Sequence, residues 1–211
     1  MTSVGPSLLF AVIWIGWLVS WIAAAFWSAR TEKRAVTPGV AVYRAAILAG
    51  AILLTPSAAR MAAQRPIWDV GMAGAYALAG LTLAGILFAW WARIHLGRLW
   101  SSAVTRKEGH RVIDTGPYAL VRHPIYTGLI GAIWATAVAE GTTTALAGAA
   151  FLSFGLWLKA RTEERFLIAE LSPDAYDAYC RRVPMLVPFL PLGSGIRDQA
   201  SEISNQKVSD D

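Results

Sequence analysis

Two short polar stretches carry the residue types that could do chemistry in this chain. The first is Gly109-His110 together with Asp114-Thr-Gly-Pro-Tyr-Ala-Leu-Val-Arg-His-Pro-Ile-Tyr-Thr-Gly128. The second is Arg161-Thr-Glu-Glu-Arg165. A histidine, an adjacent pair of carboxylates and two phenols can move a proton, hold a cation or orient a polar substrate. Gly116-Pro117 predicts a turn, and Pro124 suits the first turn of a helix. Arg122 and His123 then fall at a helix N-terminus, where free N–H groups favour a carboxylate or a ribose hydroxyl. The plainer reading gives Arg122 to lipid phosphates and makes His123 a helix cap. Glu164 lies three residues beyond Arg161, so on a helix the two can pair. A self-paired, solvated helix end of this kind contributes a few tenths of a kcal/mol.

The elements that must position these groups are apolar. Of 211 residues, 55% are hydrophobic and 16% charged, against about 25% charged in a typical soluble domain. Ten tryptophans point the same way, because indole rings favour the membrane interface. The net charge of +5 fits anionic lipid headgroups at least as well as nucleic acid, and nucleic acid is not expected as a partner. A single cysteine, Cys180, excludes an intramolecular disulfide and a cysteine-based metal site, and no metal is expected. No lysine or arginine precedes the first apolar run, which argues against a cleaved secretory signal.

Five apolar segments follow, at about Ser7–Ala29, Val40–Ala59, Val70–Ala92, Ile125–Ala139 and Thr143–Lys159. The last two are short and joined by a tight link, so they predict a helical hairpin. Gly71, Gly74, Gly80 and Gly85 predict close helix approach by the third segment. With five crossings, 16 of the 19 lysines and arginines fall on one side. That bias predicts an all-α integral membrane protein with its N-terminus outside and its polar clusters facing the cytoplasm, in a prokaryotic inner membrane. A helical extension over Ala160–Leu171 and a short helix over Asp174–Arg182 are expected next. Met185-Leu-Val-Pro-Phe-Leu-Pro-Leu is too short to span and is expected at the interface. Residues 1–192 read as a single membrane domain, three N-terminal helices (1–92) and a core (93–192), and 193–211 as a disordered tail. Because the hairpin makes its two cytoplasmic ends neighbours, it brings His123 to Glu163 and Glu164.

Three ordered blocks then carry a resemblance. Gly116-Pro-Tyr-x-x-x-Arg-His-Pro-x-Tyr-x-Gly128, Arg161-Thr-Glu-Glu-x-x-Leu167 and Tyr176-x-x-Tyr179-x-x-Arg182-Val-Pro184 resemble the isoprenylcysteine carboxyl methyltransferases and their prokaryotic relatives. Phospholipid N-methyltransferases share part of the pattern. The likeness covers about Gly97 to Pro191. It implies S-adenosylmethionine as methyl donor, in a cytoplasm-facing pocket closed by the C-terminal segments. The matching cofactor positions are His110, Gly116, Pro117, Tyr118, Arg122, His123, Pro124, Tyr126, Gly128, Glu163 and Glu164. Arg161 matches an arginine that serves substrate binding, and either Glu163 or Glu164 matches a catalytic glutamate. Arg165 stands where some members carry another glutamate.

These residue types suit methyl transfer, which rests on positioning and electrostatics. A carboxylate acceptor needs only an orienting cation such as Arg161. A thiol or amine must lose a proton, for which Glu163, Glu164 or His123 is available. The acceptor is expected to be lipophilic or small, with membrane lipids as surroundings, and the oligomeric state is left open. Two other classes compete. A membrane reductase of sterol-reductase type would use NADPH, and a small transporter or structural subunit would place polar residues in mid-membrane.

Overall fold

The computed structural model describes residues 5–26, 31–34, 38–97, 105–107, 113–170 and 173–190. Seven α-helices dominate: α1 (Pro6–Ala25), α2 (Pro38–Leu53), α3 (Pro56–Met61), α4 (Gly71–Leu96), α5 (Pro124–Glu140), α6 (Thr143–Glu170) and α7 (Pro173–Arg182). Two short strands add to the all-α expectation. β1 (Thr31–Arg34) pairs antiparallel with β2 (Thr105–Lys107), with Arg34 opposite Thr105, tying the chain after α1 to the chain after α4.

Local chemistry sets the boundaries. Pro6, Pro56 and Pro124 each stand at a first helical turn, where a missing N–H costs nothing. The second apolar segment does not run unbroken as read from the sequence. Pro56 cannot donate to a continuing helix, and the Thr55 hydroxyl instead accepts from Ala58 N at 3.3 Å to cap α3. The segment after Lys159 does the opposite, continuing α6 without a break to Glu170. Between α5 and α6 only Gly141 and Thr142 intervene, and Gly141 takes the left-handed conformation (φ +63°) that ends α5.

Three helices, Pro6–Ala25, Gly71–Leu96 and Thr143–Leu167, are long and apolar enough to cross a membrane. α2 and α5, with 16 and 17 residues, fall short of the roughly 20 a straight crossing needs. The neighbours are α1 on α4, α4 on α5, α5 on α6 and α6 on α2. Small residues let two of these pairs approach closely. A Cβ added at Gly85 would meet the Gly128 carbonyl and Ala132, and one added at Gly128 would meet the Gly85 carbonyl and Ala89. Gly50 and Gly148 do the same between α2 and α6. Of the four glycines expected to mediate close approach from α4, only Gly85 does so. Gly80 has open space around it, Gly74 faces Val70 of its own chain segment, and Gly71 starts the helix at φ +64°.

Tryptophan use also differs from an interface-anchor reading. Trp14, Trp17 and Trp21 form a ladder along α1 that ends on Trp90 of α4, with ring centroids 5.3 to 5.6 Å apart. Trp14 Nε1 donates to Thr136 Oγ1 (3.1 Å) of α5. Arg93, read as the start of the loop, is instead buried in the last turn of α4, where it donates to Ala24 O (2.9 Å) near the end of α1. Lys and Arg at such positions satisfy terminal helix carbonyls.

Candidate functional site

The site forms where α5 begins and α6 passes it. Gly116–Ala119 is a 3-10 turn with buried Pro117 and Tyr118, and Pro124 opens α5 fully enclosed. His123 is the residue at the N-cap of α5, but its side chain makes no capping bond. Its Nε2 lies 3.1 Å from Glu164 Oε1 and its Nδ1 3.6 Å from Glu163 Oε2. Both carboxylates thus meet one imidazole, across a hairpin whose partners are about forty residues apart in sequence.

Glu164 is 4% exposed and bound on both oxygens. Arg122 Nε donates to Oε1 at 2.7 Å and Nη2 to Oε2 at 3.2 Å, a bidentate fork on a buried carboxylate. The sequence expectation paired Glu164 with Arg161, one turn back. In the structure its oxygens take Arg122 and His123, and the Arg161 guanidinium lies 5.4 Å over the half-exposed Trp157 ring. Arg122 stands at the start of α5 as read from the sequence, but it departs from the lipid-phosphate reading. It is buried, and its Nη1 donates to Cys180 O (2.9 Å) and Val183 O (2.7 Å). Its donors therefore tie α5, α6 and the C-terminal segment into one unit, rather than facing lipid phosphate.

The C-terminal segment closes over this junction by backbone contacts. Arg122 N donates to Pro184 O (2.8 Å), His123 N to Met185 O (3.1 Å) and Thr127 Oγ1 to Leu186 O (2.6 Å). Tyr179 of α7 donates its hydroxyl to Tyr118 O at 2.7 Å. Burial pushes the Tyr179 phenol above its ordinary pKa. Tyr118 shifts the same way, with burial the larger cause and the Glu163 charge the second. Both phenols stay protonated at neutral pH. Just beyond this closure Val187, Phe189 and Leu190 are exposed.

Glu163 has a different setting from its neighbour. Tyr126 Oη donates to its Oε1 at 2.6 Å, and Lys159 Nζ lies 3.9 Å from the same oxygen. The Tyr126 ring stacks on His123, with centroids 5.5 Å apart and planes 6° from parallel, and Lys159 sits 5.2 Å from its centroid. Glu163 is the less enclosed acid, at 19% side-chain exposure against 5% for Glu164. Around the α6 axis Arg161 and Glu163 point roughly 160° apart at 100° per residue, so the catalytic trio expected from the resemblance divides between two faces. Gly128 lies in the α4–α5 contact described above. His110 and residues 193–211 fall outside the described residues. No cluster of three metal-ligating side chains occurs among the described residues.

Two groups at this site were not singled out in the sequence. Lys159 had a signal, since it stands four residues before Glu163. His95 had none, because its partner Thr115 is 20 residues away in sequence: its Nε2 is 2.9 Å from Thr115 Oγ1 and its ring stacks on Tyr118.

Helices able to cross a membrane and a buried acid–histidine–phenol cluster at the end of a hairpin define a membrane protein with a built polar site. Residues 78–169, from α4 through α6, match the model of the isoprenylcysteine carboxyl methyltransferase (ICMT) family. The chain is 36% identical over 104 residues to the cobalt-zinc-cadmium resistance protein CzcN of Cupriavidus metallidurans, covering 47% of this chain and 46% of that protein. It is 47% identical over 75 residues to methanethiol S-methyltransferase 2 of Bradyrhizobium diazoefficiens, covering 35% and 27%. With the protein-S-isoprenylcysteine O-methyltransferase of Schizosaccharomyces pombe it shares 32% over 109 residues, covering 47% and 43%. The chain thus spans about half, or less, of the length of the curated relatives it matches.

Proposed function

We propose that this chain is an S-adenosylmethionine-dependent methyltransferase of the membrane, acting on a lipophilic or small acceptor. The observation that carries the reading is the convergence of Glu163, His123 and Tyr126 at the α5–α6 junction, inside the stretch that matches the family model. Those residues fit a cationic donor. An anionic carboxylate beside a pair of stacked rings offers charge and π-faces to a sulfonium or ammonium group. When bound, S-adenosylmethionine supplies an electrophilic methyl group. His123, Tyr126 and Glu163, with the Gly116–Tyr118 turn, would hold it.

The chain's own residues divide the remaining work. Arg122 and Glu164 hold the junction rigid, since each of their charges is already met by protein. Glu163 is the acid placed to take a proton, with the Tyr126 hydroxyl steadying its Oε1. A thiol or amine acceptor must give up such a proton, and a carboxylate acceptor need not. The separation of Arg161 from Glu163 therefore favours an acceptor that is deprotonated at Glu163 over one merely oriented by Arg161. The likeness to a methanethiol S-methyltransferase agrees with this preference. Closure of the junction by residues 183–186 limits water near the donor.

All five apolar helices would cross the membrane in this reading, with α2 and α5 short or tilted. The lysine and arginine bias supports a site that faces the cytoplasm. Calorimetric titration of the purified protein with S-adenosylmethionine and, separately, NADPH tests the proposal. Saturable binding of the first and none of the second is expected. Binding of NADPH alone would favour a reductase, and binding of neither a transporter or structural subunit.

A further inference from the structure

We propose that His95, at the end of α4, is a positioning residue for the donor-binding turn; this rests on the methyl-donor reading above. Three independent contacts converge on its imidazole. Nε2 lies 2.9 Å from the Thr115 hydroxyl. The ring stacks on Tyr118, with centroids 6.2 Å apart and planes 25° from parallel. Gly116, at φ +58°, presents its Cα so closely that an added Cβ would sit 2.8 Å from His95 Cε1.

The turn cannot hold itself in the same way. Thr115 occupies the N-cap of the 3-10 helix, where a hydroxyl ordinarily accepts from a following N–H. No side-chain capping bond forms there, and the hydroxyl meets His95 instead. The turn is only four residues long, and the backbone bonds that tie it to its flanks are Tyr118 N to Thr115 O, and Leu120 N and Val121 N to Pro117 O. His95 supplies a rigid support from α4, a helix packed against α5 through Gly85 and Gly128. The imidazole thereby sets the height of Gly116 and the plane of Tyr118 relative to Glu163 and His123. Among the described residues it makes no hydrogen bond, ion pair or ring contact with Glu163 or His123, so it acts through the turn.

The test combines donor affinity with hydrogen exchange in the donor-free protein, on the full chain in detergent. His95→Ala should raise the dissociation constant for S-adenosylmethionine about tenfold, from one lost hydrogen bond and one lost stacked pair. Turnover at saturating donor should stay within about twofold, an affinity-only effect that general destabilisation would not produce. The amides of Tyr118, Leu120 and Val121 should exchange faster, while those of α5 keep their protection. His95→Gln keeps a nitrogen able to reach Thr115 and should restore most of the affinity. Thr115→Val removes the other partner and should reproduce part of the loss, which covers the case in which His95→Ala folds poorly. Unchanged affinity and unchanged exchange in both His95→Ala and Thr115→Val would overturn the inference, as would a His95→Gln variant no better than alanine. A wild-type chain that binds no donor refutes the functional reading instead, and the exchange pattern then decides by itself whether His95 holds the turn.

Discussion

Replacing Arg122 by methionine leaves buried Glu164 with the His123 imidazole as its remaining side-chain partner. Methionine matches much of the arginine stem in volume but removes the fork on Glu164 and both bonds to the Cys180 and Val183 carbonyls. Breaking a buried ion pair by deleting one partner costs about 3–5 kcal/mol, and the His123 imidazole that stays beside Glu164 sets the expectation towards the lower end. In a chain of this size that lowers the melting temperature by roughly 6–20 °C. Glu164→Gln alone should cost a similar amount, because the guanidinium keeps the Cys180 and Val183 carbonyls but loses the buried carboxylate. The double variant should cost about 2–3 kcal/mol less than the sum, because the two losses are one interaction. Thermal unfolding in detergent measures all three. The same variants read by limited proteolysis should release residues 183–190 first, since Arg122 holds that segment. Additivity of the two substitutions within about 0.5 kcal/mol would refute the pairing on which the site's rigidity is argued.

Three further outcomes are expected. Glu163→Gln should lower methyl transfer by roughly 10²–10⁴ where the acceptor needs deprotonation, and shift stability little, since glutamine still accepts from Tyr126; steady-state rates and melting curves check both. Gly128→Ala should destabilise by about 1–3 kcal/mol through overpacking against Gly85 and Ala89, whereas Gly80→Ala, in open space, should be neutral or stabilising in the same melting assay. The buried phenols of Tyr118 and Tyr179 titrate above the ordinary value of about 10, so the folded state holds their protons longer than the unfolded one. Their contribution is intact below pH ~10 and stability falls as pH rises beyond it; Tyr179→Phe should flatten that fall in alkaline melting curves.

Much of this architecture can be read from single residues. Pro124 at a helix start, the Gly141-Thr142 link and the carboxylates at one end of the following helix predict a hairpin that unites two polar clusters, and the structure unites them. The partners within the cluster were less legible. Local spacing offered Arg161 to Glu164, but the buried Arg122 competes better, with a fork geometry that only tertiary packing presents. The closure by residues 183–186 uses backbone carbonyls, which carry no side-chain signature. His95 was hidden for a related reason: the sequence places it in a loop, and only the extension of α4 to Leu96 brings it beneath Gly116. The glycine pattern in α4 shows the limit of composition. Four glycines look alike in sequence, and only the one facing Gly128 sets a helix contact.

The most direct test of the central claim is transfer of a labelled methyl group from S-adenosylmethionine, using membrane extract as the source of acceptor. The account predicts label in a discrete acceptor with the wild-type chain and its near-complete loss with Glu163→Gln. Equal labelling by the two proteins, or no labelled product with a wild-type chain that is folded, would contradict it.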